Sequence, residues 1–369
     1  MHSHKYNTFS FIIIIVLSFS WQNSFAQKII KLDSPSQTLQ PRWQRAVKQV
    51  GEETTWIGYS INRLMSKNSY IGNHHSNKNG PVLEDIISGK VNIKSVKGNT
   101  VKHKGFHWDD GESVEKEMKE VAILFRVSGT SGSPEYREIS MSNLSLYFDL
   151  GGYSLYWLGA ADYEESINLL KKIYNQTGDH EVKEDIITAV GIHTNSQDGY
   201  DFLHDLIFGN EDEEIREDAV FWIAQYDKPE VVDLMKKIAR EDESEDVREK
   251  AVFGLYIIDT DEAADALIDL ARHSENIHIR EKAIFWLGQT ASKKAVDALD
   301  ETVYDEDETE VQEQAVFAIS QLDAEDSVPR LIKIAESHPN PEIRKKAIFW
   351  LGQTDDDRAL DAIIGFLKK

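Results

Sequence analysis

The chain has 369 residues, 41% hydrophobic and 28% charged, enough apolar material for a sizeable core, which sets aside an intrinsically disordered polymer. It contains no cysteine, so disulfide frameworks, thiolate zinc sites and cysteine nucleophiles are excluded. The net charge of -23 is unevenly placed, with 18 Lys+Arg against 14 Asp+Glu in residues 1–150 and 23 against 50 in residues 151–369; so acidic a surface repels a phosphate backbone and argues against nucleic acid.

Residues 1–26 read as a secretory signal peptide. His4 and Lys5 give a weakly basic start, Phe11 to Phe19 an apolar stretch, and Ser24-Phe25-Ala26 a small-x-small cleavage site. This predicts an exported protein, periplasmic or extracellular, whose mature chain begins near Gln27. The apolar stretch is shorter than the roughly 20 residues a bilayer span needs, and no later segment comes close, so no transmembrane span is expected in the mature chain.

Residues 27–149 read as a small α+β module. Thr55-Trp56-Ile57-Gly58-Tyr59 and Val121-Ala122-Ile123-Leu124-Phe125-Arg126-Val127 are rich in β-branched and aromatic residues. The second run is followed by Ser128-Gly129-Thr130-Ser131-Gly132-Ser133-Pro134 and a further extended run to Phe148, which is a hairpin pattern. Lys90, Lys94, Lys97, Lys102 and Lys104 form a basic stretch that reads as a solvated loop. His74, His75, His103 and His107 raise an alternative, a metal-binding module, because imidazole and carboxylate together can hold zinc or iron. Gly98 and Gly105 argue against the helix that the His103/His107 spacing would need.

From residue 150 to residue 369 the chain repeats itself. Five segments align without gaps, beginning at Ile215, Val247, Ile279, Val311 and Ile343, each 32 residues from the last. Val182-Lys183-Glu184-Asp185-Ile186 extends the series upstream, and Tyr156-Trp157-Leu158-Gly159 matches Phe285-Trp286-Leu287-Gly288, which predicts about seven units. Apolar residues recur at three and four, as at Ile279, Ala283, Trp286 and Leu287, so each segment is an amphipathic helix. A second periodic run follows, such as Val231, Leu234, Met235 and Ile238, with Pro229 or Pro329 near its first turn. A lone hairpin of this kind cannot bury both apolar faces, so the units must stack around a shared core.

The motif Val/Ile-Arg-x-x-Ala-x-x-x-Leu-Gly, present as Ile279-Arg280, Ala283, Leu287-Gly288 and as Ile343-Arg344, Ala347, Leu351-Gly352, resembles the second helix of HEAT repeats. More narrowly, it is similar to the short bacterial HEAT-like repeats of the phycobilisome-lyase type. The resemblance implies a mostly α fold, an α-solenoid of HEAT-like hairpins behind the α+β module, and a scaffold or adaptor role. It also implies bilin attachment as a lyase-like alternative, for which an exported chain offers no pigment partner. A di-iron hydroxylase family of similar fold is marked by several His-Glu pairs, and here only His180-Glu181 matches. The family's Asp column, six residues before the Arg, reads Asn210, Asp242, Ser274, Glu306, His338, and Gln312 interrupts the Arg column, so weak polar bonding between repeats is expected.

Two aromatic columns run along the repeats. Trp157, Ala189, Trp222, Gly254, Trp286, Ala318 and Trp350 alternate large and small, which suggests that a Trp of one unit fills the space left by a small residue of its neighbours. Tyr156, Phe221, Phe253, Phe285, Phe317 and Phe349 form the adjacent column, well away from the core direction. Six rings left in water would sacrifice on the order of 10 kcal/mol. They either pack between neighbouring helices or form an apolar binding ridge along the inner curve. Gln225, Gln289, Gln321 and Gln353 are expected to bond the turn of a neighbouring repeat.

No Gly-rich phosphate loop, nucleophile elbow or calcium loop is present in the sequence. The residues thus predict a non-catalytic protein with no cofactor. It would hold a protein or peptide partner, neutral or basic, against the Tyr156–Phe349 column on its concave face. The rival reading is a metal-binding or lyase-like enzyme centred on the N-terminal module.

Overall fold

Period-two alternation in the N-terminal module builds a sheet, and the three-and-four periodicity beyond it builds stacked helix pairs. The computed structural model describes residues 28–34, 36–72, 81–91, 106–107, 115–130, 133–194, 196–290 and 292–368. The signal segment, Lys94 to Lys104, His74, His75, His103 and the side chain of His107 lie outside the described residues.

The module runs β1 (Ile29–Lys31), α1 (Leu39–Gln49), β2 (Thr55–Ser66), β3 (Tyr70–Ile71), α2 (Leu83–Ser88), β4 (Phe106–His107), β5 (Lys116–Thr130), β6 (Ser133–Asn143) and β7 (Ser154–Ala160). Five strands form one sheet in the order β1-β7-β2-β5-β6, and β3 pairs with β4. The hairpin β5–β6 closes with Thr130 opposite Ser133. Both faces of the sheet are covered. Tyr59, Ile61, Ile123 and Phe125 meet α1 through Leu39, Trp43 and Val47, while Trp56, Leu124 and Leu155 meet α2 through Leu83 and Ile86.

Strand β7 corrects an expectation. Tyr156-Trp157-Leu158-Gly159 is not the helix of a first repeat; it lies parallel to both β1 and β2. Two physical reasons account for this. Gly151 and Gly152 have φ of +61° and +82°, which breaks any helix just before it. The segment also alternates, with Leu155 and Trp157 in one cluster and Tyr156 and Leu158 in the other, the signature of a strand buried on both faces.

The array therefore starts later and comprises six helix pairs and one further helix among the described residues. The pairs are α3 (Tyr163–Gln176) with α4 (His180–Gly191), α5 (Gln197–Phe208) with α6 (Glu213–Ile223), and α7 (Glu230–Glu241) with α8 (Glu245–Ile258). They continue as α9 (Asp261–His273) with α10 (Ile277–Gly288), α11 (Lys293–Asp305) with α12 (Thr309–Ser320), and α13 (Ala324–Ser337) with α14 (Pro341–Leu351), followed by α15 (Asp357–Leu367). The polar turns work as caps: Asp179, Asp212, Ser244 and Asn276 each accept a backbone N–H from the first turn of a second helix. Pro229 caps α7 as expected of a helix start, but α13 begins at Ala324, which puts Pro329 inside it.

Ala219, Ala251, Ala283, Ala315 and Ala347 are all fully buried in one core that continues from the sheet to Ala359. The module caps the first repeat. The Arg42 guanidinium donates to the Leu158 and Ala160 carbonyls and faces Glu165 at 3.6 Å, and the Asp185 carboxylate on α4 accepts the Ile139 N–H of β6 at 3.1 Å.

Polar bonding between repeats is confined to the steps where the following repeat offers an acid in the column, in keeping with the interrupted columns. Arg216 pairs with Asp242, and Arg280 Nε lies 3.5 Å from Glu306 Oε2. Between them the column offers Arg248 only Ser274, which has no charge, and Arg248 Nε is buried without a hydrogen-bond partner. The rungs thus recur every second repeat, in phase with the large residues of the Trp column.

Candidate interaction surface

The second helices approach one another more closely than the first helices do, so they form the inner row of a curved array. Each from α6 to α14 carries one ring of the Phe column. Phe221, Phe253, Phe285 and Phe317 are half-buried, and Phe349 is 54% exposed. Tyr156 is not part of this row; it is buried on β7, where its hydroxyl donates to the Gln49 carbonyl at 3.2 Å.

Neither simple account of the column holds, because the rings pack on one another and still face outward. Phe221 stacks on Phe253 with centroids 6.2 Å apart and planes 8° off parallel, and Phe285 stacks on Phe317 at 6.4 Å and 13°. The intervening steps are made by the other column: Phe253 meets Trp286 at 4.8 Å, and Phe317 meets Trp350 at 5.1 Å. A continuous aromatic ridge results.

The Trp column explains which indoles join the ridge. Its members pack diagonally, onto the residue two places further along in the preceding repeat. Trp222 lies over Gly191, where an added methyl would overlap the indole, and Ala318 lies over Gly288. Trp286 instead meets Tyr256, stacked at 4.6 Å, and stays half-buried in the ridge. Tyr256 at a position that is Gly in three other units was the sequence signal for this, and reading each column separately missed it.

A half-buried ring in contact with neighbouring rings, as Phe317 is with Phe285 and Trp350, contributes about 1–2 kcal/mol. Phe317→Ala is accordingly expected to lower the unfolding free energy by that amount in urea, and Phe349→Ala by less than about 0.5 kcal/mol. Equal losses at the two positions would show that the ridge does not thin out toward α14.

The glutamines do not bond a neighbouring turn. Gln225 Nε2 donates to the Phe221 carbonyl of its own helix at 3.5 Å, and Gln321 Nε2 to Ser320 Oγ at 3.1 Å; Gln289, Gln321 and Gln353 are exposed. Their amides border the ridge as available donors and acceptors. On the other side run ion pairs between second helices, Glu217–Lys250, Glu249–Lys282 and Glu313–Lys346.

Two hollows open along this face. One of about 620 Å³ is floored by Phe253, Phe285, Trp286 and Phe317. Another of about 850 Å³ lies where the ends of β2 and β5 approach α6 and α8, with Arg63 and Lys116 opposite Phe221 and Tyr256.

His180 gathers acids but at the surface. Its Nε2 lies 3.2 Å from Asp212 Oδ1 and 3.6 Å from Glu214, and its Nδ1 3.5 Å from Glu184. The hydrogen bond that the imidazole donates to Asp212 leads in raising its pKa, helped by Glu184 and Glu214. The imidazole with Glu184 and Glu214 has the spacing of metal ligands. All are substantially solvated, and an imidazole whose pKa is raised by neighbouring carboxylates accounts for the arrangement.

The family described as HEAT repeats matches residues 200–281 and 264–337. No curated protein matches the chain. Among solved structures, the complex of CpcE and CpcF of phycocyanin lyase from Nostoc sp. is 20% identical, covering 54% of this chain and 79% of that one, with a TM-score of 0.32. Human deoxyhypusine hydroxylase is 15% identical over 55% of this chain and 74% of its own, with a TM-score of 0.28. The Escherichia coli protein YibA is 17% identical over 56% and 82%, with a TM-score of 0.33. The chain therefore carries a HEAT-like helical-repeat fold behind a β-sheet module.

Proposed function

We propose that this protein is an exported, non-catalytic scaffold or adaptor that holds a protein or peptide partner on the inner face of its array. One observation carries the reading: an aromatic ridge five second helices long, half-exposed and edged by glutamine amides, on the face where a stacked array is concave. Rings that present area at low conformational cost, beside solvent-facing amide groups, are the composition of interaction surfaces. The test is a photo-reactive phenylalanine analogue placed at Gln289, beside the ridge, or at exposed Asp297 on α11, in cells exporting the full chain. A discrete adduct from position 289 and none from 297 is the expected result. Adducts of equal yield from both, or from neither, would remove the inner face from consideration.

A further inference from the structure

Along the ridge, from α6 to α14, three of the four steps between second helices carry an ion-pair rung among the described residues, and the step without one falls in the middle. Glu217, Glu249 and Glu313 each face a lysine of the following repeat, at 3.2 Å, 2.7 Å and 2.6 Å. Glu281 holds the same position on α10, but the residue across from it is Gln314, which has no charge. The ion-pair partner it does have is His278 of its own helix, with Nδ1 3.4 Å away on a side chain 66% exposed.

Glu281 lines the 620 Å³ hollow together with Glu217, Asp246 and Glu249, against only Lys250 and Lys282. The floor is aromatic. A cation resting on such rings is attracted by their quadrupoles, and a carboxylate at the rim adds a charge-assisted hydrogen bond. An apolar or anionic occupant would instead strip water from Glu281 without giving it a partner. The excess of acids over bases in residues 151–369 attracts a positively charged chain to the array.

We infer that this hollow takes a lysine or arginine side chain from a basic peptide segment, with Glu281 as the residue that selects its charge; the inference rests on the partner-binding reading of the inner face. Aliphatic carbons of the incoming side chain lie over Phe285 and Phe317, and its cationic head meets Glu281 in place of the missing lysine. The acidity of the array brings the segment in, and the broken rung fixes where it stops.

The experiment uses the full mature chain and a fluorescein-labelled dodecapeptide of alternating Lys and Ala, with the Glu–Ala peptide as control, followed by fluorescence anisotropy. Saturable binding of the lysine peptide is expected. Glu281→Gln is expected to weaken it about tenfold, and Glu325→Gln on the outer row, 88% exposed, by less than about twofold. Glu281→Gln keeps the side-chain shape, and an unchanged unfolding midpoint confirms that the fold is retained. Equal weakening by the two variants would reduce the binding to a diffuse field and overturn the inference, as would equal affinity for the two peptides or no binding of either. If the lysine peptide fails to bind while the adduct at position 289 forms, the charge assignment falls and the inner-face reading stands; if both fail, both fall.

Discussion

Trp222→Ala is expected to lower the unfolding free energy by about 3–5 kcal/mol, as a large indole removed from a closed site leaves a cavity that its surroundings only partly refill. Trp222 is 4% exposed and sits on the bare backbone of Gly191, which has no side chain to fill the space. Trp286 occupies the equivalent position two repeats on, yet it is half-buried and open to the ridge. Trp286→Ala should therefore cost only about 1–2 kcal/mol. The contrast depends on diagonal packing, which a second substitution isolates. Gly191→Ala drives a methyl into the indole and should cost about 1–3 kcal/mol alone. In the Trp222→Ala background the methyl has room, so the pair should be more stable than the sum of the single losses by at least about 1 kcal/mol. Stacked repeats need not unfold together, so hydrogen exchange of the α6 amides is the sharper readout beside urea unfolding. Equal costs at Trp222 and Trp286, or strict additivity with Gly191, would contradict the diagonal arrangement.

The helix pairs and their core were legible because each unit repeats its own burial pattern. Ile279, Ala283 and Leu287 identify a buried stripe without reference to anything else in the chain, and the Ala column lies in the core as that stripe requires. What could not be read from one unit was what its neighbour sets against it. Whether a Trp is sealed or exposed depends on Gly191 or Tyr256, one repeat away and two residues along. Whether an Arg finds an acid depends on Asp242 or Ser274 in the repeat that follows.

The β7 misassignment has a different cause. Four matched residues outweighed the two glycines before them, although a glycine pair with positive φ is stronger evidence against a helix than an aromatic match is for one. Of the candidate ridge residues, the structure brings Phe221, Phe253, Phe285, Phe317 and Phe349 onto one face and leaves Tyr156 in the sheet. Sequence could place those five in a column, but their half-burial comes from rings of adjacent repeats, including Trp286 and Trp350, that belong to another column.

Acid should loosen the joint between module and array through His193. This imidazole is wholly buried at the end of α4, and Tyr163 packs edge-on against it at 4.8 Å. Nδ1 lies 2.7 Å from the Ala189 carbonyl, which can only accept, so Nδ1 carries the proton. Nε2 is then the acceptor, 2.9 Å from the Ser166 hydroxyl, and Ser166 lies 2.8 Å from the Tyr59 hydroxyl of β2. A second proton on Nε2 would reverse the bond to Ser166 and bury a positive charge near Arg63. Burial is the main reason that the pKa falls to about 3, and the nearby Arg63 guanidinium pushes it the same way. Its unfolded value is near 6.5, so between about pH 6.5 and 3 the unfolded chain binds the extra proton and stability falls as pH falls, by up to about 1.4 kcal/mol per pH unit. Other groups titrate in the same window, but they cancel in a comparison with His193→Gln, which keeps a donor and an acceptor and cannot be protonated there. Unfolding free energies measured from pH 6.5 to 4.5 should fall more steeply for the natural chain, by roughly 2–3 kcal/mol over the interval. Parallel pH profiles would mean that His193 is not held neutral, and the Tyr59–Ser166–His193 chain would then not be what keeps the sheet and the first repeat together.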